Sequence, residues 1–378
     1  MARRFTEIID CTGIFRTNIS AALDEFASRI YEELDYGREC ANMEKFYGLY
    51  GSKGQIIVPK LSRELSAASV ITMSWINGQR LVRTNEGSAP NREMLLSELP
   101  LVEQGIKSTL SQLFETGVLH ADPHAGNLLK CKTSNGSTKL AYIDFGLVAD
   151  VPIAVREALV CSVIYLIERN FVALASEFDS LMLISTEELN RDFDAFVFEL
   201  KRVCDEILVY PKEYHCENKD TSLSAIDGRD EGDLDSTVIP RVKFDAIISA
   251  LLSIAFKFKF EIPPYFLNNA RAIASLEGMA LSADPNFNLL QVLYPFVVSQ
   301  LLLDPSTKIR AALRGIIQHN DGKSIRWKRL HRLFKDASDL GVSRRKLISG
   351  FLSSTFVISL LVEDFGARFK KLFGKRSL

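Results

Sequence analysis

The sequence predicts an α+β fold in which a small region of one long helix and short strands precedes a larger, mostly helical region. Three patterns support this fold class: apolar residues at helical spacing over residues 20–46, two runs rich in β-branched residues over 55–78, and almost continuous helical periodicity after Pro152. The chain has 378 residues, of which 47% are hydrophobic and 25% charged. This composition is that of a folded protein with a sizeable core.

The first helix is predicted over residues 20–46. Its apolar residues recur at steps of three and four: Leu23, Phe26, Ile30 and Leu34. Gly51 and Gly54 end the pattern, after which QIIVPKLS and SAASVITMSWING predict two short strands. The second strand closes at Asn77-Gly78, a strong turn signal.

Within residues 92–119 the sequence predicts a second helix, whose apolar stripe ends at Gly117. Its apolar stripe comprises Leu101 or Val102, Ile106, Leu110 and Leu113. The runs NLLK and KLAYID follow as predicted strands around a polar turn, which puts the neighbouring polar residues in loops at strand ends. Residues 212–236 are too polar to bury and are predicted to form a mobile insertion.

The charge balance excludes a chain-wide attraction to nucleic acid or to an anionic membrane. Lys and Arg number 46 and Asp and Glu 47, giving a net charge of −1, so any such attraction must be local. The six cysteines include no CxxC pair, which favours buried thiols in a reducing compartment over disulfides or a zinc site. The N-terminal residues carry basic side chains but no long apolar run, so they are neither a convincing signal peptide nor a clear transit peptide.

The stretch HADPHAGNLL followed by YIDFG carries the candidate chemistry, and three interpretations compete. His120, Asp122 and His124 offer metal ligands, but their spacing gives no helical i,i+4 pair. Isolated loop Asp and Asn residues also commonly cap turns. Taken together, Asp122, Asn127 and Asp144-Phe145-Gly146 follow the order of kinase-type phosphoryl transfer, with a proton-accepting Asp, a magnesium-binding Asn and a magnesium-binding Asp.

This chemistry explains the residue types. Mg²⁺ prefers carboxylate, amide and phosphate oxygens, and the metal must bridge the protein and the triphosphate. A short hairpin between Asn127 and Asp144 would bring the two loops together. We therefore expect the Asp122 and Asp144 carboxylates to face one cleft between a small and a large lobe.

These motifs, preceded by EELDYGRECANMEKF, resemble the UbiB (ADCK) family of atypical protein-kinase-like proteins. Within that family the sequence is most similar to plastid-type plant and algal members. The resemblance covers about residues 20–315 and includes FEIPPYFLNNARAIASLEGMALSADPNFNLLQVLYPF. It implies a protein-kinase-like fold with ATP and Mg as cofactors. It also implies residue roles: Asp122 and Glu33 catalytic; Asn127 and Asp144 metal-binding; Asn127, Asp144, Phe145, Gly146 and the hinge residue Met73 in contact with the cofactor.

Glu33 corresponds to the helix acid that pairs with a nucleotide-binding lysine, and Glu39 to a second acidic position that we interpret as a solvated helix face. The expected KxGQ extension, Ala-rich loop and strand lysine do not precede Glu33, and the SKGQ at residues 52–55 lies after the helix. The sequence is thus predicted to be N-terminally truncated, either as a fragment of a competent enzyme or as a natural binding module. Glu33 should then point to solvent or recruit another cation, and nucleotide binding should be weak.

The resemblance implies an ATP-dependent kinase or ATPase that supports isoprenoid-quinone or lipid metabolism in an organelle, a plastid rather than a mitochondrion. The alternatives are a pseudokinase-like scaffold and a small-molecule phosphotransferase of the aminoglycoside or choline kinase type, which shares the H-x-D-x-H-x-x-N loop. The expected partner is a nucleotide, with no nucleic acid, and the protein substrate is not specified.

The C-terminal region completes the predicted organisation. The apolar run at 347–362 is too short for a membrane span, and the basic ARFKKLFGKRSL after it can either lie on an anionic membrane surface or end a helix packed on the body. The predicted domains are a partial N-lobe at 1–78, a helical C-lobe at 79–315 and a helical extension at 316–378.

Overall fold

A computed structural model describes residues 35–51, 56–81, 92–133, 135–210, 239–255, 257–260, 263–304, 306–318, 324–338, 344–352 and 355–373. Several predictions concern residues outside these ranges: Glu33, the helix before residue 35, the segment 52–55 and the insertion 212–236. The remaining sequence forms an α+β protein dominated by helices, as predicted. Its helices are α1 Tyr36–Phe46, α2 Arg92–Ser111, α3 Ile153–Ile167, α4 Phe171–Ser180, α5 Thr186–Arg191, α6 Phe193–Ile207, α7 Phe244–Ala255, α8 Pro264–Ala283, α9 Leu289–Leu303, α10 Thr307–Ile317, α11 Trp327–Ser338, α12 Arg344–Leu352 and α13 Thr355–Phe373.

Helix α1 begins at a side-chain cap and buries one face. The Asp35 carboxylate accepts from the backbone N–H groups of Gly37 and Arg38, at 3.0 and 3.3 Å, which satisfies donors that lack helical partners. Cys40, Met43 and Phe46 recur every three residues and are buried. A π-helical turn, Tyr47–Gly51, continues the helix to the glycine at which the sequence predicts its end.

The two strands predicted over 55–62 and 66–78 are wrong in extent. Within the described residues these segments form isolated bridges, Ile57 with Ala141 and Leu61 with Met73. Pro59 has no N–H to donate to a ladder. The Ser66 hydroxyl accepts the Thr72 N–H at 2.9 Å, so a side chain takes a donor that a continuous strand would use.

The predicted NLLK and KLAYID strands are confirmed. They correspond to β3, Leu128–Lys132, and β4, Thr138–Tyr142, which pair antiparallel with Leu128 opposite Tyr142. Strand β1, Gln79–Arg80, adds to the other edge of β3. A Cβ at the preceding Gly78 would lie 2.7 Å from the Cys131 sulfur, so the close approach of this turn to the sheet requires glycine.

Helix α2 delivers the chain to the candidate site. A π-helical turn, Gln112–Thr116, follows α2 and ends at Gly117, whose φ of 73° is the left-handed conformation that glycine adopts without strain. Strand β2, Val118–His120, then pairs with β5, Val148–Asp150, placing His120 opposite Val148. The residues after β2 and before β5 are therefore held side by side.

The helical region packs into one continuous core with the small region. Helix α8 lies along α2 and buries Ala272, Leu276 and Ala280. Four of the six cysteines, Cys40, Cys131, Cys161 and Cys204, are buried free thiols, as predicted, and the other two lie outside the described residues.

The C-terminal helix α13 packs against the body through one face. Val357 and Leu360 are buried, and the Asp364 carboxylate accepts from the Ile325 N–H at 2.8 Å and from the Trp327 indole N–H at 3.2 Å. Across the part of the chain that the structure describes, no helix alone is long and apolar enough to cross a membrane. One pair, α9 with α10, meets the length and hydropathy requirement only when both helices are taken together across a 108° bend.

Candidate functional site

The imidazole of His120 joins two loops. Its Nδ1 accepts the backbone N–H of Asp122 at 3.3 Å, while its Nε2 hydrogen-bonds to the backbone carbonyl of Asp144. Since a carbonyl can only accept, Nε2 carries the proton and Nδ1 is bare, which is a neutral tautomer. The ring is only 1% exposed, and this burial lowers its pKa below the usual value. His120 therefore acts as an uncharged connector between the two loops.

An aromatic cluster surrounds this connector. Phe46, Tyr50, His120, Tyr142 and Phe145 pack with ring centroids 4.6–6.0 Å apart. Tyr50 lies in the π-helical turn after α1, His120 in β2 and Tyr142 in β4, so the cluster joins three elements. Its rigidity fixes the loops at residues 120–127 and 143–146 relative to α1.

Two side chains of helix α1 hydrogen-bond to the backbone of Phe145. The Asn42 side-chain amide donates to the Phe145 carbonyl at 2.9 Å, and the Glu39 carboxylate accepts from the Phe145 N–H at 3.4 Å. The Phe145 ring is fully buried and lies 5.3 Å from the Phe46 ring. Phe145 is therefore the residue through which the Asp-Phe-Gly segment contacts helix α1.

The interpretation of Glu39 as a solvated helix face is wrong. Its side chain is half-buried and directed at the Asp-Phe-Gly backbone. Burial raises the pKa of Glu39, the nearby Asp144 carboxylate raises it further, and the Phe145 N–H opposes both. The sequence alone could not reveal this, because the orientation of α1 depends on packing against residues more than 100 positions away.

Asn127 and Asp144 lie at the same end of the β3–β4 hairpin. The Ile143 N–H donates to the Asn127 carbonyl at 3.2 Å, which extends the ladder by one bond beyond the paired strands. The Asn127 amide nitrogen donates to the Asp122 carbonyl at 3.2 Å, and the amide oxygen makes no hydrogen bond within the described residues. In Asp144, one carboxylate oxygen accepts the Gly146 N–H at 2.9 Å.

These donors fit a magnesium-nucleotide site. The Asn127 amide oxygen and the second Asp144 carboxylate oxygen are hard ligands of the kind that Mg²⁺ prefers, and Asp144 is exposed. Among the described residues no group of three or more His, Cys, Asp and Glu side chains could hold a metal. A cation bound here would thus complete its coordination with phosphate oxygens or water, as Mg²⁺ does in phosphoryl-transfer sites.

The competing metal site at His120, Asp122 and His124 does not fit. Both nitrogens of the buried His120 ring are already hydrogen-bonded, so the ring has no lone pair for a metal. His124 is exposed, and its Nδ1 accepts the Gly126 N–H at 3.0 Å. This set is therefore excluded as a shared metal centre.

Asp122 has a cationic neighbour that sequence reasoning missed. A guanidinium nitrogen of Arg271 on α8 lies 3.2 Å from one Asp122 carboxylate oxygen, although 149 residues separate the two. No local pattern signals such a pair.

The other predicted positions are Gly146 and Met73. Gly146 lies in the turn in which its N–H donates to the Asp144 carboxylate, and Met73 pairs with Leu61 in an isolated bridge and is half-buried against the core.

Comparison with known proteins also points to kinase-like proteins. Residues 2–177 match the sequence profile of the ABC1 atypical kinase-like domain. The chain is 33% identical over 322 residues to the protein named ACTIVITY OF BC1 COMPLEX KINASE 3, chloroplastic, of Arabidopsis thaliana, an alignment that covers 85% of this chain and 40% of that protein.

Two further relatives broaden the comparison. An uncharacterized protein of Synechocystis sp. is 31% identical over 324 residues, covering 86% of this chain and 42% of that protein. The probable protein kinase UbiB of Actinobacillus pleuropneumoniae is 22% identical over 305 residues, covering 80% and 49%. The chain thus spans less than half the length of these relatives.

Proposed function

We propose that this chain, which carries an ABC1 atypical kinase-like domain and is related to ABC1 kinases and UbiB, binds a magnesium-nucleotide as part of an ATP-dependent kinase or ATPase. The observation that carries the proposal is the double hydrogen bond of His120, which ties the Asp122 loop to the Asp144 loop. Two loops joined in this way can act on one substrate, because the shared ring holds them at a defined separation.

Each residue has a distinct role in the proposal. Asn127 and Asp144 hold Mg²⁺, and Asp122 accepts the proton of an attacking hydroxyl. When bound, Mg²⁺ neutralises charge on the phosphates and orients them. Glu39 and Asn42 position the Asp-Phe-Gly segment through the Phe145 backbone.

The proposal is tested by nucleotide binding with and without Mg²⁺, measured by calorimetry. We expect weak, Mg²⁺-dependent ATP binding that Asp144→Asn and Asn127→Ala each reduce by roughly tenfold, since each removes a ligand of the cation. Asp194→Asn on α6 is the matched control, because Asp194 is exposed and far along the chain from the site. Equal binding in the presence and absence of Mg²⁺, or unchanged affinity in both site variants, would refute the assignment.

A binding module without catalysis is the second candidate, and the lack of Lys and Arg in the loop between Asp122 and Asn127 is the observation that favours it. That loop reads Pro-His-Ala-Gly, and the nearest lysine along the chain after it, Lys130 on β3, is paired with Glu98 at 2.6 Å. Without a cation on the phosphates, phosphoryl transfer loses electrostatic stabilisation that accounts for orders of magnitude in rate. A chain that binds Mg-ATP, yet in single-turnover experiments neither releases phosphate nor transfers it to itself or to added protein and lipid, would favour this candidate, whereas Mg-dependent turnover would establish the enzyme.

The cellular setting is a finer proposal. Relatives named as chloroplastic, together with cyanobacterial relatives, support a plastid location, and the relation to UbiB supports a role in isoprenoid-quinone or lipid metabolism. The third class, small-molecule phosphotransfer, shares the H-x-D-x-H-x-x-N loop. Quinone and lipid profiles of a deletion strain complemented with Asp122→Asn test the metabolic role. Profiles that match those of the strain complemented with the unaltered chain would argue against a role of this site in quinone or lipid metabolism.

Helix α13 supports contact with an anionic membrane surface. Ile358, Val362 and Phe365 follow each other at helical spacing and are exposed, on a different face from the buried Val357 and Leu360. Residues 344–378 contain eight Lys and Arg against two acids, Glu363 and Asp364. Both acids are engaged by the protein itself, Glu363 with Arg314 at 2.8 Å and Asp364 with the Ile325 N–H. An exposed apolar stripe within a basic segment has the composition of a peripheral membrane contact.

A further inference from the structure

Arg271 lies on a helix that is anchored by packing, while its own side chain is largely exposed. The adjacent Ala272 and, one turn further, Leu276 are buried where α8 packs on α2, so the helix position is fixed. The Arg271 side chain is 57% exposed, and one of its terminal nitrogens contacts Asp122 at 3.2 Å. The guanidinium therefore lies at the rim of the candidate site, directly beside the proposed proton acceptor.

The catalytic loop offers little positive charge of its own. Between Asp122 and Asn127 the sequence is Pro-His-Ala-Gly, with no Lys or Arg. Two lysines on the elements that flank the site form ion pairs, Lys45 of α1 with Asp150 and Lys130 of β3 with Glu98, each at 2.6 Å. A terminal phosphoryl group carries charge that phosphoryl-transfer sites neutralise with cationic side chains as well as with metal.

The geometry of a guanidinium allows two tasks at once. It presents five N–H donors in a planar fork and stays charged at any physiological pH. In Arg271 one nitrogen is engaged by Asp122, and the other two make no hydrogen bond or ion pair within the described residues. The remaining donors can therefore bind phosphate oxygens while the first holds the Asp122 carboxylate in place.

We infer that Arg271 binds the terminal phosphate of the nucleotide and so distinguishes a nucleoside triphosphate from a diphosphate. The inference rests on the proposed function, because it assigns a further residue to the same site. Arg271 supplies from α8 the cation that the catalytic loop lacks. Because Arg271 also contacts Asp122, the carboxylate that accepts the proton lies next to the terminal phosphate. The attacking hydroxyl of the substrate must approach that same phosphate.

The test compares Mg-ATP and Mg-ADP affinities by calorimetry for the whole chain. We expect Arg271→Gln to weaken ATP binding roughly tenfold and to leave ADP binding within about twofold, because only ATP has the terminal phosphate and because hydrogen bonds to charged groups are the stronger ones. Arg271→Lys should give an intermediate loss, since the charge remains and the fork does not. Arg191→Gln is the control, an exposed arginine in a surface pair with Glu188.

Each other outcome overturns the inference in a recognisable way. Equal losses for ATP and ADP indicate a structural role, which the thermal unfolding midpoint of Arg271→Lys would confirm independently. Tighter ATP binding in Arg271→Gln indicates that the arginine blocks Asp122. An unchanged ratio of ATP to ADP affinity, with Asp144→Asn still abolishing Mg²⁺ dependence, refutes the role of Arg271 but not the proposed function. Absence of nucleotide binding by the unaltered chain refutes both.

Discussion

The His120 ring hydrogen-bonds to the backbone carbonyl of Asp144, and this contact links the loop of the proposed proton acceptor to the loop of the proposed metal ligand. A neutral imidazole suits this position because the ring itself is buried, although the neighbouring Asp144 side chain is exposed. Charging it there would cost the desolvation of a cation. The two acidic residues are thus positioned by a group that brings no charge into the site.

The structural role of His120 predicts a large loss of stability on truncation. His120→Ala leaves the Asp144 carbonyl and the Asp122 N–H without their partner and opens a cavity in the aromatic cluster. We expect the free energy of unfolding in urea to fall by about 2–4 kcal/mol. His331→Ala, at an exposed position on α11, should stay within about 0.5 kcal/mol of the unaltered protein. Similar values for the two variants would contradict the connector role.

The contact between Glu39 and Phe145 predicts a difference between two substitutions at one position. Glu39→Ala removes the acceptor of the Phe145 N–H and should lower the free energy of unfolding by about 1 kcal/mol, whereas Glu39→Gln keeps an acceptor oxygen and should cost less. Chemical denaturation of both variants measures the difference. If Ala and Gln are equally neutral, the contact between Glu39 and the Phe145 N–H contributes nothing measurable to stability.

Glu277 predicts a pH dependence of stability. Burial raises the pKa of this carboxyl above its usual 4.5, although it accepts the Phe244 N–H at the start of α7 at 2.8 Å. The folded protein therefore holds this proton more tightly than the unfolded chain, so the contribution to stability is present below pH 4.5 and is lost as pH rises through the folded pKa.

Glu277→Gln removes this titration while keeping an acceptor for Phe244. The free energy of unfolding of the variant, minus that of the unaltered protein, should rise as pH increases from about 4.5 and then level off. Urea denaturation at a series of pH values measures this difference. A difference that falls with pH would mean that the pKa is lowered in the folded state.

The exposed face of α13 predicts selective membrane binding. We expect sedimentation of the protein with vesicles that contain anionic lipid, weaker sedimentation with neutral vesicles, and a decrease as salt screens the basic residues. Phe365→Glu should reduce binding roughly tenfold or more, because burying a Phe-sized apolar side chain contributes about 1.5–3 kcal/mol.

Val172→Glu is the control for the introduced charge, since Val172 is an exposed apolar residue on α4. It should leave vesicle binding unchanged. Equal losses in Val172→Glu and Phe365→Glu would show that added negative charge, and not the α13 face, explains the effect. Binding that does not depend on anionic lipid would reject the surface.

The sequence by itself determined the features that depend on near neighbours. The spacing of Asp122, Asn127 and Asp144 and the two strands between them predicted the hairpin, and Gly117 predicted the end of the preceding helix. These are local properties, because a hairpin and a helix end are set by residues a few positions apart. The same motifs carry the resemblance to atypical kinases, and residues 2–177 match the ABC1 atypical kinase-like domain.

Only the tertiary structure decided which side chains meet across the chain. Glu39 looks like a solvated helix residue until α1 packs against the Asp-Phe-Gly segment, and Arg271 reaches Asp122 from 149 residues away. The β-branched run around Ile57 predicted a strand, yet it forms a single bridge with Ala141, since Pro59 has no N–H with which to continue the ladder. Such outcomes depend on how whole elements pack together, and burial, pKa and long-range pairing follow from that packing and not from local sequence.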